Sequence, residues 1–250
     1  MAPLVIAHRG RPGNDPEFGR FGENTLKSFW DAVSLGAQMM EYDVRRCKSG
    51  ELVIFHDDTM LRTTGKRGSV ADYTYDELLG INAGWDEPVP LFKDVLVDFC
   101  PYILQNIELK ETGLAEEILA LIQENNLEDR VIVSAFDVRD DPDGDDGTVT
   151  WDDLAIFPSA GIRIALLAGE EKIQKMGVDG FILQGLNRGA SAINPSLAAA
   201  NATLVKAAHE AGLEVYVWTV NKRADIERML KIGVDGFFCD FCERAARVPE

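Results

Sequence analysis

Three short polar motifs stand at the ends of apolar runs, and their residue types suit acid–base chemistry and metal binding. The motifs are His8-Arg9-Gly10 after the run 3–7, Glu41-Tyr42-Asp43-Val44 after a helical segment, and Glu108-Leu109-Lys110 at the end of the run 102–107. Such runs are typical of buried strands, so these charges must lie at strand ends or be buried at a cost of several kcal/mol. So unfavourable an arrangement indicates a functional site.

The carboxylates of these motifs are spaced so that they can converge. Glu41 and Asp43 are two residues apart on one expected strand, so both side chains point to the same side of it, and Glu108 and Lys110 repeat that spacing. Carboxylates that are packed together must either raise a pKa or hold a cation. A set of oxygen ligands suits a hard divalent ion, so we expect Mg²⁺ or Ca²⁺ rather than zinc.

The elements that position these residues follow a regular alternation of β-rich runs and helical patterns. The expected strands are 4–8, 39–44, 103–110, 131–135, 163–167, 180–183, 214–220 and 235–240, and the clearest helices are 25–35, 114–125, 195–211 and 223–231. Eight strands alternating with helices in 250 residues predict an α/β fold, a TIM (β/α)8 barrel, as a single domain over residues 1–250. A doubly wound sheet is the alternative, weakened because no Gly-rich phosphate loop follows the first strand.

One segment after the second strand breaks the alternation. It is too short for a crossover to a parallel strand, so residues 51–55 are expected to return antiparallel as a β-hairpin. With the turn at Ser49-Gly50, position 43 faces position 56 across the pair. The hairpin should therefore bring His56 to the strand end where Asp43 lies.

In a parallel barrel, the functional face is formed by the C-terminal ends of the strands. The candidate residues at these ends are His8, Glu41, Asp43, Glu108, Lys110, Ser134, Phe136 and Trp218. Two of them, Phe136 and Trp218, are aromatic side chains for which rim packing and substrate contact are equally consistent with the sequence. Similarly, Arg9 and Lys110 could contact an anionic substrate or simply neutralise the neighbouring acids.

Composition narrows the range of partners. A formal charge of −17 and a pI near 4.6 argue against nucleic acid and against stable association with an anionic membrane, since both would repel the protein. No apolar stretch approaches the ~20 residues that span a bilayer, and no basic flank precedes the N-terminal run. We therefore expect a cytoplasmic protein with a small-molecule substrate; the sequence predicts no oligomeric state.

The motifs also resemble those of a known family, in the same order and over nearly the whole chain. The resemblance to the glycerophosphodiester phosphodiesterase family rests on His8-Arg9-Gly10, Glu23-Asn24-Thr25, Phe29, Ala32, Gly36-Ala37, Glu41-Tyr42-Asp43-Val44, Leu52-Val53-Ile54-Phe55-His56-Asp57, Glu108-Leu109-Lys110, Val217-Trp218-Thr219-Val220-Asn221 and Gly233-Val234-Asp235-Gly236. It implies a TIM barrel that hydrolyses glycerophosphodiesters to sn-glycerol 3-phosphate and an alcohol, a role in lipid and glycerol metabolism.

By position, the resemblance also implies roles for individual residues. The acid–base pair would be His8 and His56. The ligands of the divalent metal would be Glu41, Asp43 and Glu108, and the residues that contact the phosphate would be Arg9 and Lys110. It suggests attack by the glycerol 2-hydroxyl to form a cyclic phosphate that water later opens, and either histidine could begin as the base. The chain departs from the family in a longer link at 11–22 and in an expanded, aspartate-rich segment at 137–153.

Three other functions remain open at this point. A lysophospholipase D-like phosphodiesterase would use the same residues on a lipid substrate. An aldolase-type barrel would use Lys110 as a Schiff base, but it would leave two histidines and three acids without a role. A non-catalytic ligand-binding barrel is the third alternative, because a fold does not fix a function.

Overall fold

The computed structural model describes residues 2–12, 14–15, 19–20, 22–137 and 149–245, which form eleven strands, ten α-helices and three short 3-10 helices. The strands are β1 (Leu4–Ala7), β2 (Asn14–Asp15), β3 (Gly19–Arg20), β4 (Met39–Arg46), β5 (Leu52–Ile54), β6 (Leu104–Leu109), β7 (Val131–Ala135), β8 (Arg163–Ala168), β9 (Ala192–Pro195), β10 (Glu214–Val217) and β11 (Gly236–Cys239). Eight of them, β1, β4 and β6 to β11, pair in parallel with their neighbours, and pairing of β1 with both β11 and β4 closes the ring. The predicted TIM barrel is confirmed.

The helices cover the outside of this ring. They are α1 (Leu26–Ser34), α2 (Leu61–Thr64), α3 (Tyr75–Leu78), α4 (Phe92–Phe99), α5 (Ala115–Glu124), α6 (Ile156–Ser159), α7 (Glu170–Asn187), α8 (Ala202–Glu210), α9 (Arg223–Ile232) and α10 (Cys242–Ala245). The side chain of Thr25 accepts a hydrogen bond from Ser28 N and so forms the N-cap of α1. Among the described residues, no helix is both long enough and apolar enough to cross a membrane.

The predicted strand at 180–183 is wrong, because those residues lie inside α7. Its apolar run is too short for periodicity to separate a strand from a helix. The strand that occupies this place in the barrel is β9, whose four residues are all buried although they include Asn194 and Pro195. The predicted helix at 195–211 is correspondingly shorter, since α8 begins only at Ala202.

The segment after β4 forms an antiparallel extension of the barrel. In it, β5 pairs with β4 in a register that places Val44 opposite Ile54. The predicted register, with position 43 opposite 56, is wrong by one residue, since Phe55 N donates to Asp43 O at 3.0 Å. The extension also has a small core of its own, built from Cys47, Val53, Phe55, Met60, Val70, Leu78, Ile81, Ala83 and Val89.

Alternation along the strands determines which side chains enter the barrel. Met39 on β4 packs in the apolar layer inside the ring, with Ile6, Ile132, Ala165, Ala192, Tyr216 and Phe238. Side chains at positions 41 and 43 point to the same side as Met39, so the acids lie above this layer, toward the C-terminal strand ends. Most of the aspartate-rich segment, residues 138–148, lies outside the described residues, as does much of the link at 11–22.

Candidate active site

Three carboxylates meet inside the C-terminal end of the barrel. Parallel pairing of β4 with β6 places Asp43 beside Glu108, and Glu41 lies two residues before Asp43 on the same strand. One oxygen from each carboxylate lies within 4.8 Å of the others, and all three residues are buried. Glu41 Oε1 is buried and accepts no hydrogen bond from the described residues. An unpaired, buried carboxylate oxygen within an all-oxygen set fits the preferences of a hard divalent cation.

Two cationic side chains already offset part of this negative charge. Lys110 Nζ lies 2.5 Å from Glu108 Oε1 and 3.3 Å from Asp43 Oδ1. Arg9 donates its backbone N–H to Glu41 Oε2 at 2.8 Å, and its Nε lies 3.6 Å from Asp43 Oδ2. The cluster therefore combines negative carboxylates with two positive side chains, and together these could hold an anionic substrate beside a metal cation.

Burial and neighbouring charges shift the pKa values of the cluster residues in different directions. Burial, together with the negative charge of Asp43, raises the pKa of Glu41 to about 8. Burial alone would raise the pKa of Asp43 as well, but the charges of Lys110 and Arg9 outweigh it and hold that pKa well below its usual range. Likewise, burial would lower the pKa of Lys110, but Glu108 and Asp43 outweigh it and raise that pKa. Lys110 is therefore an ammonium group at neutral pH.

On one side of the cluster, His8 is held by an aspartate from the last strand. His8 Nδ1 lies 2.7 Å from Asp240 Oδ1, and Asn221 Nδ2 donates to the other oxygen of Asp240 at 2.6 Å. Burial and Arg9 would lower the pKa of His8, but the hydrogen bond and charge of Asp240 outweigh them and raise it. Because Nδ1 is engaged, Nε2 is the nitrogen of His8 left to act on a ligand.

On the other side, His56 is held by its chain neighbour. His56 Nδ1 lies 2.7 Å from Asp57 Oδ1, and Arg62 on α2 donates to both oxygens of Asp57. Arg62 also donates to both oxygens of Glu23, and Glu23 in turn accepts from Arg9 Nη1 at 3.0 Å. A continuous set of hydrogen bonds therefore joins His56 to Arg9 through the loop before α1.

Glu23, His56 and Asp57 also lie close enough together to suggest a second metal group. Their geometry argues against it, because the guanidinium of Arg62 already makes four hydrogen bonds to the two carboxylates. Despite burial, the hydrogen bond between His56 and Asp57 and the contacts of Arg62 with both carboxylates lower the pKa of Asp57 and Glu23. We therefore assign this group to an ion-pair network.

A cavity of about 210 Å³ opens between the two histidines. The predicted residues that line it are His8, Arg9, Glu41, His56, Glu108, Lys110, Phe136 and Trp218. Phe136 and Trp218 meet edge to face with ring centroids 5.2 Å apart, and Lys110 Nζ lies 5.8 Å from the Phe136 centroid. The aromatic pair therefore forms an apolar wall opposite the charged groups. Of the candidate residues, Asp43 and Ser134 do not line the cavity. The carboxylate of Asp43 contacts Lys110, which does, and Ser134 Oγ accepts a hydrogen bond from Asn106 Nδ2 at 2.8 Å.

Four residues that contact the site were not predicted to act there. Asp240 follows the last strand directly, the same signal that identified His8, so it could have been found. Asn24, which belongs to the Glu23-Asn24-Thr25 motif, donates to Asp43 Oδ2 at 2.8 Å, and Thr25 forms the N-cap of α1. The roles of Arg62 and Asn221 depend on tertiary contacts that no sequence pattern reports.

Comparison with known proteins shows to which family the chain belongs. Residues 8–244 match the model of the Glycerophosphoryl diester phosphodiesterase family. The chain belongs to this family. A glycerophosphodiester phosphodiesterase from Caldanaerobacter subterraneus is 32% identical over 257 residues, which cover 96% of this chain and 95% of that protein.

Solved structures agree with the barrel fold. The structure of a glycerophosphodiester phosphodiesterase from Thermotoga maritima superposes with a TM-score of 0.78 at 23% identity and covers 100% of this chain and 99% of that one. A phosphodiesterase from Oleispira antarctica, solved in complex with the product sn-glycerol-3-phosphate, gives a TM-score of 0.76 at 23% identity, covering 98% of this chain and 95% of that one.

Family membership makes this chain a phosphoric diester hydrolase, as its motifs predicted. It also removes two of the alternatives, the aldolase-type barrel and the non-catalytic binding barrel. The protonated state of Lys110 points the same way, since a Schiff base requires a neutral amine. The polar groups described above gather at the C-terminal strand ends, which form the functional face of such barrels, and the acid cluster there could hold a metal ion.

Proposed function

We propose that this protein is a metal-dependent glycerophosphodiesterase that releases sn-glycerol 3-phosphate and an alcohol. The observation that carries the proposal is that His8 and His56 line one cavity with the acid cluster, each bonded through Nδ1 to an aspartate. The proposal assigns proton transfer to Nε2 of both rings. The product found in the Oleispira antarctica phosphodiesterase supports the choice of glycerol 3-phosphate.

In this proposal the phosphodiester lies between the acid cluster and the two histidines. Glu41, Asp43 and Glu108 would hold Mg²⁺ or Ca²⁺, which neutralises charge on the non-bridging phosphate oxygens when bound. Arg9 and Lys110 both line the cavity and present cationic groups to the same oxygens. Phe136 and Trp218 would contact the carbon skeleton of the substrate.

The two histidines divide the proton transfers. Because Asp240 raises the pKa of His8, this ring retains a proton to a higher pH, which suits a general acid that protonates the leaving alkoxide. His56 would then remove the proton from the attacking glycerol 2-hydroxyl. In the second half of the reaction the roles reverse, as water opens the cyclic phosphate. Each transfer is expected to contribute roughly 10²- to 10⁴-fold.

The test is release of sn-glycerol 3-phosphate from glycerophosphocholine and glycerophosphoethanolamine by protein stripped with EDTA and then resupplied with Mg²⁺ or Ca²⁺. We expect activity only with metal and its loss in His8→Ala and His56→Ala. His209→Ala is the matched control, since the third histidine lies on α8 and pairs with Asp235, away from the cavity. Folded protein without activity on either substrate under any metal would overturn the proposal.

A lysophospholipid substrate forms a second arm of the same assay. Cleavage of a lysophospholipid with higher kcat/KM than glycerophosphocholine would favour a lysophospholipase D-like activity of the same site. A cavity of about 210 Å³ has room for the polar head that both substrates share, so the comparison of the two kcat/KM values decides between them.

A further inference from the structure

A buried arginine follows two acids of the active site on β4. Glu41, Asp43 and Arg45 are spaced two residues apart, so their side chains point to the same side of the strand. Arg45 is only 2% exposed, and it does not line the active-site cavity. A buried guanidinium is unfavourable unless it is hydrogen-bonded. The proposed chemistry gives Arg45 no part, so its contacts have to indicate what it does.

The guanidinium of Arg45 contacts the backbone of His56. Arg45 Nε donates a buried hydrogen bond to His56 O at 2.8 Å. Two carboxylates lie farther away, with Arg45 Nη1 3.8 Å from Glu111 Oε2 and 4.0 Å from Asp58 Oδ1. At those distances the carboxylates offset the charge of the guanidinium without hydrogen bonds. Of these three contacts, the one with His56 O is short and directed enough to fix the position of an atom.

His56 lies beyond the regular pairing of the hairpin. The strand β5 ends at Ile54, and Phe55 N then donates to Asp43 O at 3.0 Å. The next carbonyl along the chain, His56 O, accepts from Arg45. The backbone around His56 is therefore tied to β4 twice, by Asp43 before it and by Arg45 after it. The strand that carries two residues of the acid cluster also determines where the histidine stands.

The imidazole of His56 has a separate partner. Its Nδ1 lies 2.7 Å from Asp57 Oδ1, a contact that fixes the rotation of the ring. Arg45 acts instead on the backbone from which the side chain extends. A reacting group that is displaced by about 1 Å can cost about 10²-fold in rate. The orientation of the ring and the position of its backbone are both needed for proton transfer.

The next residue on β4, Arg46, provides a matched comparison. Its side chain lies on the opposite face of the strand and is 34% exposed. Arg46 Nη1 donates to Gly50 O and to Glu117 Oε2, both at 2.7 Å. Arg46 therefore also bonds a carbonyl of the hairpin, but at the turn and away from His56.

We propose that Arg45 is a positioning residue, which fixes the backbone at His56 and so holds the imidazole where it can transfer a proton to or from the substrate. This inference rests on the proposed function. Arg45 acts through His56 and contacts no substrate. Its loss therefore lowers kcat and leaves KM and metal binding unchanged.

The test compares two replacements of equal length. In Arg45→Gln the amide nitrogen can take the place of Nε and still donate to His56 O, whereas Arg45→Met has a methyl group there. With glycerophosphocholine we expect kcat to fall about 10- to 100-fold in Arg45→Met and by no more than about threefold in Arg45→Gln. KM should stay unchanged in both. Arg46→Met is the control and should keep the wild-type kcat.

A double-mutant cycle separates positioning from a general disturbance of the fold. The residual kcat of His56→Ala should lie about 10²- to 10⁴-fold below that of wild type. In this background, Arg45→Met should cause no further decrease, because the group that Arg45 positions is absent. Isothermal titration with Mg²⁺ should give the same Kd for Arg45→Met and wild type, since the acid cluster is intact.

The outcomes distinguish this inference from the proposed function. Equal kcat values for Arg45→Gln and Arg45→Met would overturn the inference, as would the same fold decrease in the presence and absence of His56, while the proposed function stands. No glycerol 3-phosphate from the wild-type protein would overturn both. If thermal unfolding shows that Arg45→Met does not fold, Arg45→Lys takes its place, since it keeps the charge but has a methylene group at the position of Nε. A kcat for Arg45→Lys equal to that of Arg45→Gln would then overturn the inference.

Discussion

Arg62 holds both carboxylate oxygens of Asp57, with Nε 2.6 Å from Oδ2 and Nη2 2.6 Å from Oδ1. The same guanidinium bonds both oxygens of Glu23, although Arg62 itself is about half exposed. One side chain of the extension therefore orients the aspartate that holds His56 and the glutamate that holds Arg9. Arg62, which is half exposed and lies outside the cavity, thus helps to position His56 and Arg9 inside it.

Replacement of this arginine should affect turnover more than substrate binding. In Arg62→Gln we expect kcat to fall by about 10-fold, within the range for losing a partner that orients a reacting side chain, with little change in KM. Arg62→Lys should recover only part of the loss, because lysine cannot bond both carboxylates bidentately. Steady-state kinetics on a glycerophosphodiester provides the measurement.

Its control is Arg163→Gln. Arg163 is also partly exposed and bonds Glu214 and Tyr216, but it begins β8 at the opposite end of the barrel. This variant should change the thermal midpoint without changing kcat. Equal kcat values for Arg62→Gln and wild type would show that the network is only structural.

Removal of the charge on Asp240 should shift the pH dependence of activity. The pKa of His8 is raised in the folded protein by Asp240, and a general acid works only below its pKa. In Asp240→Asn that pKa falls, so the alkaline limb of the profile of kcat/KM against pH should move to lower pH. We also expect kcat to decrease by about 10²-fold, because the ring loses the partner that fixes its tautomer.

Asp235→Asn is the matched control, since Asp235 also pairs with a histidine, His209, on the surface. Its pH profile should match that of wild type. A shift of the acid limb in Asp240→Asn, with the alkaline limb unchanged, would instead make His8 the base.

The structure also allows the limits of prediction from sequence to be traced to particular residues. Glu41, Asp43 and Glu108 were found because strand alternation and parallel pairing are sufficient to bring them together. The register of the hairpin was missed by one residue, since turn geometry is not fixed by composition alone. No sequence pattern could have indicated Arg62, because its partners lie 5 and 39 residues away and meet it only in the folded extension.

Metal binding should stabilise the protein through the acid cluster. At a free metal concentration of 100 times Kd, Mg²⁺ or Ca²⁺ should raise the free energy of unfolding by about 2.7 kcal/mol over EDTA-treated protein. Glu41→Gln should lose most of this gain. It should not destabilise the metal-free protein, since the raised pKa of Glu41, about 8, leaves this side chain largely uncharged at neutral pH, as glutamine is.

Thermal unfolding with and without metal measures both effects. Glu227→Gln serves as control, because Glu227 is an exposed residue of α9 that pairs with Arg223. A metal-induced shift in Glu41→Gln equal to that of wild type would exclude Glu41 as a ligand.

Gly10 should tolerate no side chain, because the turn that carries His8 and Arg9 packs directly on α1. Its φ is +78°, and a Cβ atom there would lie 2.4 Å from Ser28 Oγ and 2.8 Å from the backbone carbon of Ser28. Gly36 has a similar φ of +80°, but nothing lies within 4 Å of its Cβ position. Gly36→Ala should therefore cost only the backbone strain, about 1–2 kcal/mol. Gly10→Ala should cost about 2–5 kcal/mol, because overpacking adds to the strain, and it should also lower kcat as Arg9 is displaced. Urea unfolding of the two variants measures the difference, and equal losses of stability would mean that α1 moves away without cost.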